Sequence, residues 1–168
     1  RRDVHGYAAL HKAAKAGDID AARTLLDEKQ ANPNVTDFAG VTPLHHAARD
    51  GDVALVRLLL EHHADPAMKT RDGWDPLHLA TWNGHPAAAG ALLRFGAIPN
   101  QKTPQGWTGV HLAAIKGESE ILGKLLLDWE AAERHGKPLV NAPDAEGNTP
   151  LHLAVKHQQP RMVDALLV

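Results

Sequence analysis

Apolar residues along this 168-residue chain gather into short paired runs separated by turn residues. The first run of each pair is rich in Ala and Leu, as in Leu77-His78-Leu79-Ala80 and Val110-His111-Leu112-Ala113-Ala114. Gly17, Gly51, Gly84 and Gly117 close these runs, the place where a left-handed residue ends a helix. The second run is more apolar and predicts a returning helix over Val53–Leu60, Pro86–Leu93 and Ser119–Leu127. Thr42 and Thr149 suit the N-cap of the first helix, with Pro43 and Pro150 at its first position. Ahead of them stand turns of the form Asp-x-x-Gly: Asp3 to Gly6, Asp37 to Gly40 and Asp144 to Gly147. The two middle copies keep Gly73 and Gly106 and place Thr70 and Thr103 at the Asp position. Glycine at the turn permits the positive φ that a tight reversal needs.

The pairs repeat. Thr42-Pro43-Leu44-His45 returns as Thr149-Pro150-Leu151-His152, with weaker copies ending in His11, His78 and His111. Spacings between successive motif histidines are 34, 33, 33 and 41 residues. This phrase at a period near 33 resembles the ankyrin repeat. The resemblance implies an all-α solenoid of stacked helix-turn-helix units with β-turn or hairpin loops. Five units are expected: repeat 1 over 3–36, repeat 2 over 37–69, repeat 3 over 70–102, repeat 4 over 103–143 and a truncated repeat 5 over 144–168. It also implies that the motif histidines hydrogen-bond in the turn network, a structural role.

Three departures from the period carry information. Lys12 stands where the other repeats have His46, Leu79, Leu112 and Leu153, which suggests an outer, water-facing cap for repeat 1. The 41-residue spacing marks an insertion of 8 residues around 128–139. Leu125 to His135 has no breaker, so the second helix of repeat 4 is expected to run on by about two turns, roughly 12 Å. Leu122, Leu125 and Trp129 fall on one face of it, which favours packing over ligand contact for Trp129, and the tip near Glu133–Lys137 is expected to project. The chain begins at Arg1 and stops within a second helix, so a longer parent protein is expected.

Composition narrows the chemistry. Lys plus Arg is 18 and Asp plus Glu 20, a net charge of −2, without the basic stripe of a nucleic-acid binder. No apolar run approaches the ~18 residues of a membrane span. The absence of cysteine removes disulfides and thiol nucleophiles and fits a reducing compartment, so an intracellular protein, cytoplasmic or nuclear, is expected. Twelve histidines invite a metal reading, but His62-His63 are adjacent and cannot face one another on a helix. No His-Glu-x-x-His, Gly-x-Ser-x-Gly or phosphate loop occurs. The expectation is a non-enzyme with no cofactor and no metal.

Within the resembled family, residues after the turn glycine and before the helix-ending glycine face a concave binding groove. Here those positions hold Tyr7, Val41, Trp74 and Trp107, then Arg49, Trp82, Asn83, Ile115 and Lys116, with Phe38 and Arg71 at turn tips. These eleven residues are the candidate partner contacts. Aromatics make up only 4% of the chain, yet three of four tryptophans and the one tyrosine fall here. Trp and Tyr anchor interface hot spots. Trp74, Trp82 and Trp107 are expected to cluster with Ile115; for Trp74 and Trp107 a second reading is that they brace neighbouring turns. The expected partner is a protein or peptide with a bulky apolar anchor and some acidic residues, bound by a monomer with no nucleic-acid partner and no membrane insertion. The alternative is a regulatory or targeting segment of a larger enzyme, channel or effector.

Overall fold

The computed structural model describes residues 8–131 and 139–167. It is an all-helical solenoid of helix pairs, with no strand among the described residues. The chain divides into two compact units, residues 1–97 and 98–168.

The first unit holds three helix pairs: α1 (Ala9–Ala16) with α2 (Ile19–Asp27), α3 (Pro43–Asp50) with α4 (Val53–Glu61), and α5 (Pro76–Trp82) with α6 (Pro86–Arg94). First helices stack on first helices, α1 on α3 on α5, and second on second, α2 on α4 on α6. The seam is filled by small and branched residues. Ala47, Ala48, Leu55, Leu59, Ala80, Ala88, Ala89 and Leu92 are all excluded from water. Alanines on the first helices leave no bulk to hold neighbours apart, so the leucines of the second helices supply most of the apolar burial. Removing one such buried leucine to alanine costs about 2–5 kcal/mol. Asn34 ties neighbouring loops together: its Nδ2 donates to the His63 carbonyl (3.2 Å) and its Oδ1 accepts from Asp65 N–H (2.7 Å).

The second unit holds α7 (Gly109–Lys116) with α8 (Ser119–Ala131) and α9 (Pro150–Lys156) with α10 (Pro160–Leu167), plus a short 3-10 turn over Leu139–Asn141. Here α7 packs on α9 and α8 on α10. At 13 residues, α8 is four longer than the nine of α4 and α6. That is one extra turn of about 6 Å. The expected second turn and the tip at Glu133–Lys137 lie outside the described residues, as does the opening turn Asp3–Gly6. Trp129 on the added turn is half-buried beside Leu126, Leu139, Val140 and Leu166.

Local chemistry explains the boundaries. Thr42 Oγ1 accepts from His45 N–H (3.3 Å), and Asp75 Oδ1 accepts from His78 N–H (2.8 Å). At Thr149, the N-cap residue of α9, the backbone N–H donates to His152 Nδ1 (3.1 Å) and the hydroxyl lies 2.8 Å from the same nitrogen. Second helices start on Asp18 and Asp52, whose carboxylates accept from Ala21 and Leu55 N–H at 2.9 and 3.0 Å. Gly17, Gly51, Gly84 and Gly117 all take φ between 67° and 77°. Lys12 is exposed on the outer side of α1, whereas His46, Leu112 and Leu153 at the equivalent positions are buried.

Candidate binding groove

Turns and motif histidines build the candidate site together. In the turn after α2, Asp37 Oδ1 accepts from Ala39 N–H (2.8 Å) and Val41 N–H (2.9 Å). In the next turn, Thr70 takes the same part, its Oγ1 accepting from Trp74 N–H at 3.2 Å. Arg71 N–H donates to the Ala39 carbonyl (2.8 Å), joining the two turns edge to edge. Gly40 sits at that junction with φ 76°, and a Cβ there would come within 3.1 Å of Arg71 N.

Beneath the turns, the motif histidines His11 and His45 each span two repeats. Thr42 N–H donates to His45 Nδ1 (3.1 Å), which leaves the proton of the neutral ring on Nε2. His45 Nε2 then donates to the Trp74 carbonyl (3.1 Å). In the preceding repeat, Ala8 N–H donates to His11 Nδ1 and His11 Nε2 to the Val41 carbonyl (2.9 Å). The histidines therefore fix the backbone of the residues that follow the turn glycines. Burial holds His45 below its ordinary pKa and keeps it neutral, as this bonding requires.

Between the turns and helices α3 and α5 lies a groove of about 440 Å³, lined by Ala39, Val41, His45, His46, Arg49, Thr70, Asp72, Trp74, Leu79 and Trp82. Trp74 and Trp82, both half-buried, meet edge to face with centroids 5.8 Å apart and planes at 82°. Trp74 also meets the His78 ring at 6.0 Å and 74°. Edge-to-face pairs of this kind add about 0.5–1.5 kcal/mol beyond burial. The pair is thus held in one geometry while ring surface remains open to the groove. His46 stands on the opposite wall, its ring edge-on to His11 at 6.2 Å. Burial, then the nearby Arg49 guanidinium and His11, push its pKa down to about 4, so it is neutral at pH 7.

Of the eleven expected contacts, Val41, Arg49, Trp74 and Trp82 converge on this groove. Phe38, 56% exposed at a turn tip, and Arg71 on the next turn do not line it. Asn83 turns its Nδ2 back onto the Leu79 carbonyl (2.8 Å) and serves the end of α5. Arg49 Nε and Nη2 lie 2.9 and 3.4 Å from the two Asp50 oxygens, so its charge is matched by its own neighbour.

The other candidates belong to the second unit. Trp107 Nε1 donates to Asp144 Oδ2 (3.1 Å), tying the turn at 103–107 to the one at 144–148. Burial raises the Asp144 pKa, but hydrogen bonds from Asn148, Trp107 and Glu146 outweigh it and hold the carboxyl below its ordinary value. Ile115, expected beside the tryptophans as exposed surface, is instead only 8% exposed, because it faces into the packed helix layer; its carbonyl accepts from Gln159 Nε2. Lys116 is exposed. Tyr7 lies outside the described residues.

His46 lines the groove yet was not among the expected contacts. A signal for His46 was present: it stands in a column that reads Leu79, Leu112 and Leu153 in the three later repeats. Among the described residues no group of three or more His, Cys, Asp or Glu could hold a metal, and no helix is long and apolar enough to cross a membrane.

Comparison with known proteins agrees with this architecture. The family model for ankyrin repeats (three copies) matches residues 10–103 and 86–168. The chain belongs to the ankyrin-repeat family, whose repeats form a general protein-interaction module. Similar relatives include human SH3 and multiple ankyrin repeat domains protein 2, 45% identical over 74 residues, covering 44% of this chain and 4% of that protein. Mouse 2-5A-dependent ribonuclease is 42% identical over 74 residues, 44% of this chain and 10% of the relative. The 26S proteasome non-ATPase regulatory subunit 10 of Dictyostelium discoideum is 41% identical over 64 residues, 38% of this chain and 28% of the relative. The alignments thus span less than a third of each of these relatives.

Proposed function

We propose that this chain binds a protein or peptide segment in the groove between the turns and helices α3 and α5. The observation that carries the reading is the Trp74–Trp82 pair, fixed edge to face while lining a groove of about 440 Å³. Two indoles held in place lose little entropy on binding, and each covered ring contributes up to ~2–3 kcal/mol before association costs. The chain acts as a monomer and without catalysis, in the cytoplasm or nucleus, with neither nucleic acid nor membrane as its ligand. Its five repeats divide at 36/37, 69/70, 102/103 and 143/144.

A second reading places the same array within a larger protein as its targeting or regulatory part. What favours it is the mouse relative, whose name is that of a ribonuclease and which is aligned over only 10% of its length. The two readings share the groove.

The test is capture from lysate with the native chain and with Trp74→Ala/Trp82→Ala, after circular dichroism shows equal helicity. The proposal expects a captured protein to fall by tenfold or more with the variant, roughly 1.4 kcal/mol or greater. Equal capture by both chains would reject the groove.

A further inference from the structure

We infer that the side chain anchored in this groove is a basic one, arginine above all, seated against the Trp74 and Trp82 rings with Asp72 as its counter-charge. The inference rests on the groove being the binding site. It replaces the bulky apolar anchor and acidic segment that the sequence suggests.

Three features of the groove lead there. The two indole planes stand at 82° and both rings line the groove, so a cation entering it meets aromatic walls in two orientations. A neutral aliphatic group would gain from the same burial but not from the ring quadrupoles.

The charges point the same way. Among the described residues Arg49 is the one cation lining the groove, and Asp50 already pairs with it through two contacts. His45 and His46 are both neutral at pH 7. Asp72 lines the groove, is exposed, and has no hydrogen-bonding or ionic partner among the described residues. Asp37 lies near enough to act on both histidines. With Arg49 matched by Asp50, Asp72 is the charge left unmatched among the described residues that line the groove, and an acidic ligand would meet that carboxylate rather than a free cation.

Shape favours guanidinium over ammonium. Its planar group stacks on an indole and forks onto a carboxylate at once, whereas a Lys ammonium presents a compact, strongly hydrated charge. Thr70 Oγ1, already accepting from Trp74 N–H, keeps the ring-bearing backbone from yielding as the groove fills.

The experiment is a two-dimensional NMR titration of the native chain, following the indole Nε1–H signals of its four tryptophans. The probes are four capped pentapeptides, Gly-Gly-X-Gly-Gly, with X as Arg, Lys, Leu or Glu. The Arg peptide is expected to shift Trp74 and Trp82 saturably, with Leu at least about fivefold weaker, the factor a partly desolvated cation–π contact supplies. Asp72→Asn, a change on an exposed turn, is expected to weaken the Arg peptide by roughly two- to fivefold and leave the Leu peptide unchanged. If Leu or Glu binds as tightly as Arg, the basic anchor is overturned and the groove stands. If Asp72→Asn leaves Arg binding unchanged, the counter-charge is overturned. If no peptide moves either Trp74 or Trp82, the groove reading falls as well.

Discussion

His46 occupies a buried position where the corresponding residues are leucines in three other repeats. Its folded-state pKa of about 4 lies below the ordinary 6.5. Above pH 6.5 both the folded and unfolded chains keep it neutral. Between 6.5 and 4 the unfolded chain takes up a proton that the folded chain refuses, so stability falls as pH falls. Over that window the loss is on the order of 3 kcal/mol. His45 and His111 are lowered by burial too and act in the same direction. His46→Leu is therefore expected to flatten the pH dependence of the urea midpoint between pH 7 and 4. An unchanged slope would show that other groups carry it. The turn glycines separate two costs in the same way. Gly106 has φ 79° and a Cβ there would lie 2.6 Å from Ala145 N, whereas Gly147 has φ 83° with nothing within 4 Å. Gly147→Ala is expected to cost about 1 kcal/mol of backbone strain, and Gly106→Ala at least ~2 kcal/mol more, because the neighbouring turn must move. Thermal melts of the two variants would compare them directly.

At the scale of elements, the repeat phrase made the helix pairs legible because each of its letters has a stereochemical task. Pro43 and Pro150 begin helices, Thr42 caps one, and His11 and His45 bridge the helix start to the next turn. Added length in α8 was legible too, since nothing between Leu125 and Ala131 breaks a helix. The site was legible only in part. Position relative to the turn glycine indicated Trp74 and Val41, but not what their neighbours would do. Arg49 turns to Asp50 beside it, and Asn83 turns to the end of its own helix. Trp107 finds its partner 37 residues away, at Asp144. Such choices depend on rotamers and neighbouring turns, which spacing along the chain does not encode. Two substitutions probe the bridging. Trp107→Phe keeps an aromatic ring but removes the pyrrole ring and its donor; it is expected to cost at least about 1–2 kcal/mol and to let the Asp144 pKa rise, read by carboxyl NMR. His45→Leu strands the Trp74 carbonyl and the Thr42 N–H together and is expected to cost about 2–4 kcal/mol by urea denaturation.

For the whole molecule, the fold comes from repetition and the specificity from what departs from it. Leucine, alanine and glycine recur from repeat to repeat, and a solenoid built this way folds with almost any residues at its groove positions. In this chain those positions bring two tryptophans, two neutral histidines and a lone carboxylate to one groove. Its similarity to parts of a human SH3 and multiple ankyrin repeat domains protein, a mouse ribonuclease and a proteasome regulatory subunit fits a module used in many settings. The most direct test follows the four indole Nε1–H signals when a partner captured by the native chain is added. The account predicts large shifts for Trp74 and Trp82 while Trp107, bonded to Asp144, and Trp129 on the added turn of α8 stay in place. Shifts confined to Trp107 or Trp129, with Trp74 and Trp82 unmoved, would contradict it.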